Sequence, residues 1–168
     1  DTVIYLGHHY GDKKYVVDTT TIDADGNAVF KGDKELHKGI YLVVMPSRDM
    51  TFFEILVTDN KNFSLETDTA DFVANMKIKG CRENKLFNEY QRKMGEMHLK
   101  RTELNEKMTE AEEDEAKLEK LQEQALVLNN ERIGYIDNII NKNPDFFFTK
   151  VLLAMKDKWS FQVEISSL

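Results

Sequence analysis

The chain has 168 residues, enough for one medium domain or two small ones. Its 30 Asp and Glu outweigh 23 Lys and Arg, and the net charge of −7 argues against nucleic acid as a partner, since phosphate-binding surfaces need clustered cations. No apolar run approaches the roughly 18 residues of a membrane span, and a single cysteine excludes an intrachain disulfide or dithiol chemistry.

The chain begins at Asp1 inside a strand-like pattern with no signal peptide, as expected of a mature or trimmed fragment. From there to Gly80, short β-rich runs alternate with turn signals. Val3–Leu6 ends at Gly7, and Tyr15–Ile22 ends at Asp23-Ala24-Asp25-Gly26. Ala28–Phe30 ends at Gly32-Asp33. Ile40–Met45, nearly all apolar and so a central strand, ends at Pro46-Ser47. Phe52–Val57, the alternating pair Phe63 and Leu65, and the alternating pair Met76 and Ile78 complete seven candidate strands. The pattern predicts an antiparallel β-sandwich over residues 1–80.

At Gly80-Cys81-Arg82 the apolar period changes from two to three-and-a-half. Phe87, Tyr90, Met94, Met97, Arg101, Leu104 and Met108 mark one face of a helix, interrupted once by arginine. Leu118, Leu121, Ala125, Leu128, Arg132, Tyr135 and Ile139 repeat the pattern, again with one arginine. Thr109-Glu110-Ala111-Glu112 reads as a capping box, so the first helix is expected to stop near Lys107 and the second to start near Thr109. The acidic run Glu110–Glu115 suits the positive end of the new helix dipole. A short connection makes the two helices antiparallel neighbours, the competing reading being one unbroken coiled coil.

Asn143-Pro144-Asp145 reads as the cap, first position and first turn of a short third helix. Beyond it Trp159, Phe161, Val163 and Ile165 alternate with polar residues, which predicts a final strand. Residues 81–168 are thus expected to form a helical hairpin, a short third helix and a strand-like tail. The fold class is α+β.

Chemistry-bearing residues are sparse. His8 and His9 are adjacent, so on a strand they point to opposite faces and do not share a metal. Asp23, Asp25 and Asn27 imitate the start of a calcium loop, but Ala28 and Lys34 stand where its Gly and Glu belong, and a β-turn explains them. Cys81 has no second cysteine and no neighbouring histidine, so a structural thiol is expected. The carboxylates of Glu110–Glu115 read as a solvated hairpin tip. Arg101 and Arg132 interrupt apolar stripes, so they either snorkel or line an anion site between helices. No catalytic, cofactor or metal set emerges. The expected partner or ligand contacts are Arg101, Arg132, Trp159 and Phe161.

Three groups of residues carry a resemblance: Gly11-Asp12-Lys13 with Tyr15, Asp18 and Ile22-Asp23-Ala24-Asp25-Gly26; Leu36 with Gly39-Ile40-Tyr41 and Phe63-Ser64-Leu65; and Ile78-Lys79-Gly80 with Glu83-Asn84 and Phe87. Over roughly residues 1–156 the chain resembles the N-terminal region of bacterial thiol–disulfide interchange proteins of the thioredoxin-like, AhpC/TSA group. The resemblance implies an exported, envelope-located protein attached to membrane only through a lipid anchor outside this chain. The family's Cys-x-x-Cys belongs to a following domain, so no catalytic residue carries over. The resemblance also implies a β-domain beginning one strand before Asp1, which would leave a sheet edge open. The resulting expectation is a non-catalytic accessory module for substrate docking or dimerisation, with a protein or peptide partner or a second copy. The alternative is a free-standing envelope binding protein for a small ligand or peptide.

Overall fold

A computed structural model describes residues 2–10, 13–33, 35–59 and 62–165, with side chains throughout that set except at 9, 10, 13, 14 and 157–165. The order is antiparallel sheets followed by helices, an α+β fold. The chain divides into two compact units, Asp1–Asn88 and Glu89–Leu168.

In the first unit, strands β1 (Thr2–Tyr10), β2 (Lys13–Ile22), β3 (Gly39–Met45) and β4 (Thr51–Val57) form one antiparallel sheet in the order β2-β1-β3-β4. Strands β5 (Ser64–Glu66) and β6 (Lys77–Lys79) form a second, two-stranded antiparallel sheet. Alternation puts Ile4 and Leu6 of β1, Tyr41 and Val43 of β3, and Phe53, Ile55 and Val57 of β4 into one core. Ile78 of β6 joins that core with Met76 and Cys81, so both sheets bury residues in it.

The β1–β2 register slips between Leu6 and Gly7, where Leu6 faces Asp18 but Gly7 faces Val16. A Cβ at Gly7 would stand 3.0 Å from the Tyr15 carbonyl oxygen, so the bulge needs glycine there. β3 passes to β4 through a single 3-10 turn, Pro46–Arg48, with Asp49 and Met50 at φ 51° and 59°.

In the second unit, helix α1 (Arg82–Glu110, begun in the first unit) runs against α2 (Glu115–Lys142). Their direction is antiparallel: the Arg132 charge acts on Tyr90 at one end, and Met108 and Leu118 wall the same cleft near the turn. Met97, Leu121, Ala125, Ile136 and Ile139 are buried members of the two stripes. Helix α3 (Phe147–Ile165) is anchored by Phe148, 1% exposed, whose ring meets that of Tyr90 edge-on at 5.1 Å. Lys156 of α3 pairs with Asp137 of α2 at 2.6 Å.

Four local expectations give way. Ala28–Phe30 joins no strand; Phe30 packs on the core, while Val29 is exposed and the segment's backbone pairs with no sheet among the described residues. Thr109 lies inside α1, with its hydroxyl donating back to the Asn105 carbonyl at 3.0 Å, and α2 is capped instead by Asp114, which accepts from the Lys117 N–H at 3.1 Å. Asn143 closes α2 rather than opening α3: its backbone N–H and its side-chain amide both donate to the Ile139 carbonyl, at 3.1 and 3.0 Å. The tail is helical to Ile165. Apolar residues two apart are also four apart in alternate pairs, as in Trp159 with Val163, and no Gly or Pro interrupts the helix after Pro144.

Candidate functional site

The 3-4 spacing that makes α1 and α2 amphipathic turns their stripes toward each other, and unbranched methionine is the commonest α1 contributor. The two helices do not close completely. Between them lies a groove of about 670 Å³ lined by Met94, Met97, His98, Arg101 and Met108 of α1 and by Gln122, Ala125, Leu126, Leu128, Asn129 and Arg132 of α2. Met97 and Ala125 are its buried members, Met94, Met108 and Leu128 are half-buried, and Leu126 is 60% exposed.

Both stripe arginines therefore belong to one groove. Arg132 is half-buried, and its guanidinium donates to Asn129 Oδ1 at 3.2 Å, which directs it along the helix. Burial pushes the Tyr90 phenol above its ordinary 10.0, and the Arg132 charge works in the opposite direction. Tyr135 is likewise raised by burial, with the Glu89 carboxylate and the Tyr90 and Glu96 groups adding to the effect. Arg101 is exposed and enters no ion pair among the described residues. Among the described residues no Asp or Glu lines the groove, although the chain is acidic. A smaller cleft of about 390 Å³, walled by Asn105, Met108, Thr109, Glu112 and Leu118, lies toward the hairpin turn.

The other sequence candidates sit apart. The side chains of Trp159 and Phe161 lie outside the described residues. His8 packs its ring against Tyr15 at 6.0 Å and Tyr41 at 5.7 Å, an aromatic environment on the sheet. Asp23 Oδ1 accepts the backbone N–H groups of Asp25 and Asn27 at 3.0 and 2.8 Å; the Asn27 bond leads in holding its carboxyl below the ordinary 3.8. That carboxylate organises a turn. Glu110 and the run Glu112–Glu115 are exposed. Among the described residues, no group of three His, Cys, Asp or Glu is placed to hold a metal ion, and no helix is long and apolar enough to cross a membrane.

Cys81 is 4% exposed, and its sulfur accepts from the Asn84 backbone N–H at 3.5 Å and from Asn84 Nδ2 at 3.4 Å. The same side chain grips β4. Its Oδ1 accepts the Leu56 N–H at 2.7 Å and its Nδ2 donates to the Leu56 carbonyl at 2.8 Å. Sequence reasoning named the two arginines but not Gln122, Leu126 or Asn129 beside them; the signal available was the crowding of methionine and arginine into matched stripes.

No curated protein and no solved structure is significantly similar to the chain. The profile of a family described as a domain of unknown function, DUF4369, matches residues 1–87, which takes in both sheets and the first turns of α1. That match spans more than half of the sequence, and the chain belongs to the DUF4369 family.

Proposed function

We propose that the chain is a non-catalytic accessory module of an exported thioredoxin-like thiol–disulfide oxidoreductase, and that it docks a partner protein in the α1–α2 groove. The observation that carries the docking is the meeting of Arg101 and Arg132 on one methionine-lined cleft. Methionine-rich grooves accept apolar side chains of varied shape because the side chain is unbranched and polarisable. Guanidinium groups at such a cleft add orientation and charge selection to that apolar attraction.

The thiol–disulfide setting comes from the resemblance over residues 1–156, and with it an envelope location. A buried Cys81 whose sulfur is engaged by Asn84 suits an accessory role, because thiol exchange needs an accessible thiolate. Added to insulin and dithiothreitol, the chain is expected to leave the reduction rate at that of dithiothreitol alone. Acceleration that is lost in a Cys81→Ser variant would overturn the reading.

A second reading, a free-standing envelope binding protein for a small ligand, is favoured by the groove volume of about 670 Å³. That figure falls within the roughly 300–1,000 Å³ of small-molecule sites. Displacement of an environment-sensitive dye by a small carboxylate, with no binding of peptides, would select this second reading.

A further inference from the structure

We infer that the occupant of the groove is an acidic amphipathic helix of a partner protein, laid along the hairpin as a third helix; the inference rests on the docking reading above and names the chemistry of the partner.

Dimensions come first. From Met94 to Met108 the groove follows α1 for about 21 Å at roughly 1.5 Å per residue. Its volume of about 670 Å³ then corresponds to a mean cross-section of about 30 Å². A helix about 10 Å across does not sink into such a slot, but one row of its side chains does. The occupant therefore lies over the mouth and inserts apolar residues at i, i+3 or i+4 spacing between Met94, Met97, Leu126 and Leu128.

Charge decides its character. Among the described residues the lining holds two guanidinium groups and no carboxylate, in a chain with seven more acidic than basic side chains. Against that background a basic helix gains nothing from the groove and is repelled by it, whereas carboxylates flanking an apolar row meet both arginines. Arg132 acts on Tyr90, and Arg101 stands on α1 about three turns beyond that level, roughly 16 Å along the axis. Carboxylates about eleven residues apart on the incoming helix match that separation.

The test titrates the full chain with two labelled 21-residue amphipathic peptides, identical except for Glu or Lys flanking a leucine row, and reads fluorescence anisotropy. The Glu peptide is expected to bind roughly tenfold or more tightly than the Lys peptide, with the difference shrinking as salt rises. The pair Arg101→Glu and Arg132→Glu is expected to invert the preference, while Arg92→Glu, exposed outside the groove, leaves it within about twofold. Should the half-buried Arg132 variant fail to fold, Arg101→Glu alone is expected to lower the preference severalfold. Equal binding of both peptides, or a preference that survives Arg101→Glu, overturns the inference.

A further variant, Ala125→Trp, fills the groove floor and separates docking itself from the charge of what docks. If it abolishes binding that shows no charge preference, the acidic partner is wrong and the docking reading stands. If it changes nothing, both fall. Self-association of the chain reversed by Ala125→Trp, or dye displacement by palmitate with no peptide binding, identifies another occupant and also overturns the inference.

Discussion

Both backbone polar groups of Leu56 end on one side-chain amide, so Asn84 performs for the outer edge of β4 what a neighbouring strand performs for an inner one. Leu56 and Asn84 are 0% and 1% exposed, so these bonds lie out of reach of bulk solvent. Asn84→Ala is expected to cost about 2–6 kcal/mol, two buried groups at roughly 1–3 each, measurable by urea denaturation. It should also let a thiol reagent reach Cys81 faster. Gly80 is the second position where one atom decides. Its φ is +86°, and a Cβ there would stand 3.2 Å from the Asn62 carbonyl oxygen. Gly80→Ala combines a left-handed backbone with a close approach, and is expected to lower stability by about 1–2 kcal/mol. Neither role was legible in the sequence. Gly80 was read as the end of a strand, and nothing periodic links residue 56 to residue 84.

Among the elements, the helix pair was legible because burial of one face writes a 3-4 period that survives two arginines. The sheet strands were legible where the apolar run was long, as in Ile40–Met45, and β3 bears it out as an inner strand with consecutive Tyr41, Leu42 and Val43 buried. What the period does not encode is termination. Thr109 and Asp114 are both capping residues, and the acidic run between them supplies first-turn carboxylates for either choice. Asp114 takes the role because Thr109 is spent on the Asn105 carbonyl. Asp114→Ala is therefore expected to destabilise α2 by about 1 kcal/mol, and Thr109→Ala by no more than a few tenths, read as shifts in the denaturation midpoint. The tail was misread for a related reason, since seven alternating residues fit a strand and also distribute around a helix. The arginine interruptions were visible as breaks in a stripe. That the helices leave a groove at that level depends on packing of both partners, and neither stripe alone specifies it.

Over the whole molecule, titration sets limits at both ends of the pH scale. Asp68 is held below 3.8 by the Ala70 N–H first, then by Asn75 and Asp71, with Lys77 adding its charge; Asp23 is lowered by its own turn. A carboxyl whose folded value is depressed contributes stability that is complete above the unfolded value and disappears as pH falls through the folded one. Tyr90 and Tyr135 act at the other limit, because a phenol raised by burial contributes stability that is present below 10.0 and lost as pH rises beyond it. Melting temperature is therefore expected to fall below about pH 4 and above about pH 10. Asp68→Asn should flatten the acid limb and lie closest to the parent at low pH, and Tyr135→Phe should flatten the alkaline limb. An Asp68→Asn protein whose deficit is the same at pH 3 and pH 7 would contradict this assignment.

The grip of Asn84 on Leu56 also sets an order of events during synthesis. A ribosome delivers the six strands of the described residues before it delivers the residue that satisfies the edge of β4, so a chain truncated after Gly80 carries an unsealed margin along that strand. Only when the opening turn of α1 clears the exit tunnel is that margin shut, which makes the start of this helix a late but integral piece of the sheet that precedes it.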